Sequence, residues 1–535
     1  MKIIKKSLLI LTVGLFIPTL GGCKKKPLVI PTVDVESIKV SLPALPTRNV
    51  GEIRTQDGYD CIDLYELSDF HGAVNYETHD QGQSAYIGLP KLATYLDSKR
   101  SANPGGTVVL SCGDMFQGSA DSNLTRGYMV NYSMHYMGFD AMAIGNHEFD
   151  WTDSWLRKNA ELKYNTYSIP YLGANIHKND ELPDYLQKST VITRKDYKIG
   201  VIGVIGNSLE NTILKSAIEG YEFVEYAKIV EDEAARLRSE EGCNAVVLLA
   251  HEAADQIESL ASGSVDAVFG GHAHENKESS AAGGVPALAT KNYGQSVARI
   301  SLKFDPSTKE VVKEAVDFEI EQMIDYGSLA EDSNIKNIMG QYSSSIDEIK
   351  GIKLAKCDDE LKHDQALKNI CTKTMYESAV RAAQENSSAG IDTSKIIAAY
   401  HNINGGIRSD IAKGKIIYGD VYKAFPFDNE VVLLKFSGSE YIKNARSLNN
   451  LGIYRTFERL SSLKDKETYY IVATDFLALG EYMGDFKRDE GGIKDEDLIR
   501  TGLTVRDEVA TKIYNLNKIK NEEWAKTSPE YRVVS

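Results

Sequence analysis

The chain has 535 residues, 42% hydrophobic and 26% charged, so it can bury sizeable cores in two to four domains at roughly 100–200 residues each. A net charge of −15 argues against a nucleic-acid groove or an anionic membrane surface as the main partner, so an anionic substrate must be drawn by local cations. Past the N-terminus no stretch nears the roughly 18 apolar residues of a membrane span.

Met1 to Lys6 carries three Lys, and Ser7 to Leu20 is apolar apart from Thr, Gly and Pro, which together make an export signal. Leu20-Gly21-Gly22-Cys23 resembles a bacterial lipoprotein processing box. The resemblance implies that residues 1–23 are a signal, that Cys23 becomes the lipidated first residue, and that the folded part lies outside the cytoplasm, tethered to a membrane. A short uncleaved anchor is the alternative. Residues 24–52, with four Pro and few aromatics, read as a flexible, extended spacer. Cys61, Cys112 and Cys243 sit in or beside apolar runs, as buried thiols do. Cys357 and Cys371 could pair in an oxidising compartment.

From Tyr59 onward, polar motifs fall at the ends of strand-like runs. Cys61 to Leu67 alternates and runs into Ser68-Asp69-Phe70-His71-Gly72, where Asp69 and His71 share one side of an extended chain. A carboxylate and an imidazole pointing the same way suit a divalent metal. A helix over about Leu89 to Lys99 leads to Thr107 to Ser111 and then to Asp114, which follows a Gly at a strand end. A second helical stretch, Arg126 to Met137, feeds Ala141 to Ile144 and the hexapeptide Gly145-Asn146-His147-Glu148-Phe149-Asp150. There Asn146 offers an oxygen ligand, and Asp150 can hold the His147 ring in one orientation. A long amphipathic helix near Tyr226 to Glu241 precedes Ala245 to His251, and Val265 to Phe269 ends in Gly270-Gly271-His272-Ala273-His274.

Five of the ten His (His71, His147, His251, His272, His274) directly follow apolar runs, beside Asp69, Asp114 and Asn146. Core histidines scattered at random would not choose that edge. Parallel strands with ligands at their carboxyl ends converge on one crevice. That set exceeds what one ion needs, and implies a site for two metals.

In order, Asp-x-His, Gly-Asp-x-x-x-Gly, Gly-Asn-His-Glu-Phe-Asp, His and Gly-Gly-His-x-His resemble the calcineurin-like metallophosphoesterases, and the Phe-Asp ending is similar to their 5'-nucleotidase family. The resemblance implies an α/β fold with a four-layer αββα catalytic domain over residues 53–316. It also implies two divalent ions, zinc, manganese or similar, with Asp69, His71 and His274 on the first, Asp114 bridging, and Asn146, His251 and His272 on the second. In that mechanism the ions clamp phosphate and activate water for in-line attack, while His147, oriented by Asp150, stabilises the phosphoryl group or protonates the leaving oxygen. His274 stands where many 5'-nucleotidases have Gln or Asn.

Phe318 to Ile349 is acidic, helix-prone and without a strand pattern, giving a helical connector over 317–350. A smaller α/β domain follows over 351–535. Its strongest motif is His401-Asn402-Ile403-Asn404-Gly405-Gly406-Ile407-Arg408, where the glycines allow close backbone approach and Arg408 can fork onto phosphate or carboxylate. A tight turn with a surface Arg is the alternative. This run and Phe425-Pro426-Phe427-Asp428-Asn429 resemble the C-terminal domain of 5'-nucleotidases. That likeness implies phosphate binding by Arg408, a base held between Phe427 and Phe476, and substrate contacts from Asn404, Gly405, Gly406 and Asp485. The family's Asn falls on Ile403, between Asn402 and Asn404, and Asp485 fills the family's Asp role only if three residues are inserted. Phosphate chemistry is therefore better supported than nucleotide specificity.

The expected function is a lipid-tethered phosphomonoesterase that releases phosphate from extracytoplasmic nucleotides. A second reading keeps the metals and changes the substrate to cyclic nucleotides, UDP-sugars or thiosulfate esters. A third is a surface nucleotide-binding or adhesive lipoprotein without activity.

Overall fold

The computed structural model describes residues 26–532 apart from 49–50, 80–81, 253–255, 257–258, 260–262, 281–283, 387–389, 481–482, 484–485, 488–491 and 527. Cys23 with the export signal, and Asp485, lie outside the described residues.

Two sheets stack face to face in the catalytic half. In the first, Asp317–Gln322, Ser296–Phe304, Tyr59–Glu66, Thr107–Ser111, Ala141–Ala143 and Tyr171–Leu172 lie side by side, with Thr55–Gln56 added at Tyr59–Glu66. In the second, the order is Lys277–Ser280, Pro286–Ala289, Ala267–Gly270, Ala245–His251, Tyr197–Ile205 and Ser189–Arg194. Four strands of each sheet run parallel; antiparallel strands close both edges of the second sheet and one edge of the first, whose other edge is the parallel strand Tyr171–Leu172. Ile62, Leu64, Val108 and Leu110 from one sheet meet Val201, Val247, Leu249 and Phe269 from the other in a shared core. Helices Gly88–Ala102 and Tyr128–Met137 cover the outer face of the first sheet, and Ala227–Ser239 covers that of the second. Strands covered on both faces have no polar alternation, which is why every residue of Ala245–His251 is buried.

Two segments depart from expectation. The helical connector begins later than its composition suggests, because Asp317–Gln322 is an edge strand antiparallel to Ser296–Phe304. Phe318 and Ile320 pack on the inter-sheet core, and the intervening acids pair outward: Glu319 with Arg299 at 2.7 Å, Glu321 with Lys99 at 2.6 Å. Those acids hid the alternation. The helix proper is Ser333–Lys350, capped by Asp332, whose carboxylate accepts from the Asn334 and Ile335 amides at 2.8 Å. The spacer, expected to be flexible, is docked over 26–48. Val35 is buried, and Ile38, Val40, Leu42 and Leu45 pack on the catalytic core while Leu28 and Ile30 pack on the C-terminal one. Sparse apolar residues in a Pro-rich segment suffice when a groove between two domains receives them.

In the C-terminal half a five-stranded sheet runs Gly452–Arg455, Ile396–His401, Thr468–Thr474, Glu430–Ser437, Ile499–Thr504. Helices Ala366–Glu385 and Val505–Leu516 cover one face of it. Cys357 and Cys371 are not bridged: Cys371 is buried in the helix Ala366–Glu385, and the Cys357 thiol faces the Ala412 carbonyl at 3.3 Å. Among the described residues no helix is long and apolar enough to cross a membrane.

Candidate metal centre

Five of the parallel strands of the catalytic half deliver a candidate ligand residue at the carboxyl end. Asp69 and His71 follow Tyr59–Glu66, Asp114 follows Thr107–Ser111, and Asn146 opens a 3-10 turn after Ala141–Ala143. His251 ends Ala245–His251, and His272 and His274 follow Ala267–Gly270. Asp69, His71, Asp114, His272 and His274 all have positive φ, between 48° and 70°. A side chain costs energy in that region, so five such residues facing one hollow mark backbone held in place for function.

The side chains form two groups, Asp69 with His71 and His274, and Asp114 with His251 and His272, each with ligand atoms within 4.8 Å of one another. Hydrogen bonds at the back of the rings decide which atoms point inward. His71 donates from Nδ1 to the Gln117 carbonyl, and His251 from Nδ1 to the Cys112 carbonyl, both at 2.8 Å. A carbonyl only accepts, so in each neutral ring Nε2 is a bare lone pair. In the first group, His71 Nε2 lies 3.1 Å from His274 Nε2, which lies 3.3 Å from Asp69 Oδ1. In the second, Asn146 Oδ1 is 3.0 Å from His251 Nε2 and 3.1 Å from His272 Nδ1, and Asp114 Oδ2 is 3.3 Å from His251 Nε2. Where lone pairs face one another at this spacing, as Asn146 Oδ1 and Asp114 Oδ2 face the neutral His251 Nε2, they repel unless a proton or a cation lies between them, and about 3 Å is the edge of a ligand cage with bonds of about 2.0–2.2 Å. Asp114 Oδ2 is buried without a hydrogen-bond partner, so the oxygen expected to bridge is the one the protein leaves unused. The residues fit a pair of divalent ions.

Electrostatics agree. Burial disfavours a charged His251 ring, yet the Asp114 carboxylate overcomes it and pushes the pKa up to about 10, a proton standing in for a cation. Burial and the neighbouring His274 hold His71 well below its ordinary value, while burial, aided by His251, lowers His272 to about 4. Burial would raise the Asp114 carboxyl, but His251 and His147 hold it well below the usual range. An ionised Asp114 beside neutral His71 and His272 rings is the protonation state that binds metal, and a bound ion would take the place of the His251 proton.

A residue without an assigned role in the sequence pattern ties these loops together. Glu148, 4% exposed, accepts from the Asp114 and Gly145 amides at 2.8 Å and from the Met115 amide at 3.0 Å. Burial and the neighbouring Asp114 push its pKa up to about 7. Gly145 permits the close approach: a Cβ there would lie 2.3 Å from Asp114 Oδ1 and 2.8 Å from His251 Cε1. Asp114 Oδ1 accepts in turn from the His147 amide at 2.8 Å.

His147 Nδ1 meets Asp150 Oδ2 at 2.9 Å. Burial opposes a charge on the ring, but Asp150 and then Asp114 hold its pKa above the ordinary value. Its ring stacks on Phe427 of the other domain, centroids 5.8 Å apart at 29°, and the Arg408 guanidinium lies over the Phe427 ring, 5.3 Å from its centroid.

The C-terminal loops arrive together because they leave one edge of one sheet. Ile396–His401 and Thr468–Thr474 run parallel, so Asn402 to Arg408 and Phe476 follow at the same end, and antiparallel pairing of Val431 with Thr474 puts Phe427 there too. Thr474 caps the short helix bearing Phe476. Asn404, Gly405, Arg408, Phe427 and Phe476 then line a cavity of about 230 Å³ with Asn146, His147, Asp150 and His272. Gly406 does not line it; its Cα packs on Asn402, whose carbonyl oxygen a Cβ would meet at 2.3 Å. Asn402 lines it as well, buried, with Oδ1 unpartnered. Trp151, Thr212 and Leu214 complete the wall without any signal in the sequence pattern. Across the interface Asn123 donates to the Pro426 carbonyl at 2.9 Å and Arg126 pairs with Asp428 at 3.1 Å, which fixes the loop carrying Phe427.

Both halves of the chain match known proteins. Residues 64–276 match the calcineurin-like phosphoesterase family model, and residues 348–445 match the C-terminal domain of 5'-nucleotidases. Endonuclease YhcR of Bacillus subtilis is 25% identical over 76% of this chain, which spans 34% of YhcR's length. Protein UshA of Yersinia enterocolitica is 23% identical over 79% of this chain and 86% of its own. The crystal structure of a 5'-nucleotidase precursor from Thermus thermophilus superposes with a TM-score of 0.70 at 20% identity, covering 89% of this chain and 99% of that one. Two matched domains in the same order, over a site of this geometry, place the chain in the 5'-nucleotidase family of the calcineurin-like metallophosphoesterases, hydrolases of phosphoric ester bonds.

Proposed function

We propose that the protein is a metal-dependent phosphomonoesterase that releases phosphate from nucleotides outside the cytoplasm, held to a membrane through Cys23. The observation that carries the reading is one cavity lined by Asn146 and His272 of the second ligand group, the Arg408 cation and the rings of Phe427 and Phe476. Asp69, His71 and His274 would hold one divalent ion, Asn146, His251 and His272 the other, with Asp114 between the two groups. Such a pair supplies a nucleophilic hydroxide near neutral pH and neutralises phosphate charge.

The chain's own groups do the rest. Arg408 takes phosphate oxygens through a planar fork. Phe427 and Phe476 grip the base by stacking, which tolerates any base. His147, whose protonated form Asp150 favours, gives a proton to the departing ribose oxygen and steadies the charge that builds before it leaves. The Asn402 amide oxygen, unpartnered in the wall, accepts from a base or sugar donor.

Phosphate release tests this reading. Purified protein with manganese or zinc should liberate phosphate from nucleoside monophosphates, and a chelator should abolish release until metal is restored. No release from any nucleoside mono-, di- or triphosphate would refute it.

A further inference from the structure

The turn over 290–295 brings a pair of amides behind the first ligand group. It is pinned to that group's own loop, because the Tyr293 amide donates to the Asp69 carbonyl at 2.7 Å, and the Met323 amide holds its far end through the Gln295 carbonyl at 2.8 Å. Asn292 faces the back of the His274 ring, with Nδ2 3.1 Å from His274 Nδ1. Gln295 Nε2 in turn lies 3.2 Å from the Asn292 main-chain oxygen and 3.0 Å from Asn292 Oδ1.

Hydrogen-bond direction passes along this chain from its fixed end. A main-chain carbonyl only accepts, so Gln295 turns its NH₂ toward Asn292, and the second hydrogen of that NH₂ finds Oδ1. Asn292 therefore turns its own NH₂ to His274, where Nδ1 must accept. A neutral imidazole carries one N–H, so in His274 it sits on Nε2. His71 and His251, whose Nδ1 atoms donate to carbonyls, are set the opposite way. The His274 Nε2–H then lies between the His71 Nε2 lone pair at 3.1 Å and Asp69 Oδ1 at 3.3 Å. A proton thus satisfies the first group in the place an ion would take.

To ligate through Nε2, His274 must carry its proton on Nδ1 instead, with the charge of the ring unchanged. That N–H meets the Asn292 NH₂, donor against donor, until Asn292 turns over, and the turned amide then sets its NH₂ against that of Gln295. We propose that Asn292 and Gln295 are positioning residues that hold His274 in the tautomer unable to bind metal. The first group then takes its ion less tightly than the second, and the protein carries one ion where metal is scarce and two where it is plentiful. This rests on the pair of ions proposed above.

Nitrogen NMR of the metal-free full chain, labelled at histidine, reads the tautomers directly, with His274→Gln identifying the signal. His274 should show Nε2–H and His71 Nδ1–H. Calorimetric titration with manganese should show two unequal binding events. Gln295→Ala and the volume-keeping Gln295→Met free Asn292 to turn, so each should tighten the weaker event about tenfold, the order by which partners of a ligand imidazole move metal affinity, and leave the stronger unchanged. A merely structural part for Gln295 would loosen it. Nδ1–H on His274, equal binding events, or a weaker event that is unchanged or looser in the variants overturns the lock and leaves the ion pair standing. No binding at all removes both.

Discussion

Glu148 offers the sharpest structural perturbation, because its carboxylate is the sole acceptor recorded for three amides that belong to two different ligand loops. Glu148→Ala leaves those three buried donors unpaired, and at about 1–3 kcal/mol for each the catalytic domain should lose about 3–9 kcal/mol, the lower end applying if water enters the space. Glu148→Gln keeps the shape but sets an NH₂ against one amide, and should cost about 1–3 kcal/mol. Urea unfolding of the metal-free proteins measures the loss, and hydrogen exchange locates it: the Asp114, Met115 and Gly145 amides should lose protection first. If the Ala variant unfolds within about 1 kcal/mol of the parent and those amides exchange no faster, the tie between the loops is not what holds them.

Acid should weaken the fold through His135. Its Nδ1 donates to the Asn131 carbonyl at 2.8 Å, its Nε2 accepts from the Ile169 amide at 3.3 Å, and burial lowers its pKa to about 4. A depressed His pKa means stability is full above the unfolded value near 6.5 and is lost as pH falls toward 4, about 2 kcal/mol of it by pH 5; His135→Gln should flatten the urea midpoint between pH 7 and 5, and an unchanged slope would count against this. Phe427→Ala and Phe476→Ala should each raise KM for nucleotides about 5- to 100-fold while sparing p-nitrophenyl phosphate, as base stacking requires; equal loss on both substrates would assign the rings a structural part only. Gly145→Ala should abolish phosphate release and metal uptake together, because its Cβ would meet Asp114 Oδ1 at 2.3 Å; retained metal uptake would show that the loop yields.

Metal chemistry made most of the site readable in the chain. Few side chains ligate divalent ions, and Asp69, Asp114, Asn146, His251 and His272 advertise themselves by standing where apolar runs stop. The structure brings them together, with the Asp69 carboxylate accepting from the His272 amide at 3.0 Å. What stayed hidden was conformational or remote. Nothing in a residue's identity announces that Asp69, His71 and Asp114 take positive φ. Glu148 acts through backbone amides, which every residue but Pro carries. Trp151 and Leu214 reach the cavity only because two domains meet there. Local composition also misled at Asp317–Gln322, where salt bridges to Arg299 and Lys99 absorb acids that read as helical, and at 26–48, where too few apolar residues to fold alone find two cores to dock on.

The central claim is that strand ends spread over two hundred residues grip a pair of cations. Crystals of the protein soaked in manganese, measured for anomalous scattering, test it most directly. Two peaks should appear, one among Asp69, His71 and His274 and one among Asn146, His251 and His272, both within bonding distance of Asp114. A single peak, or peaks away from these side chains, would contradict the account.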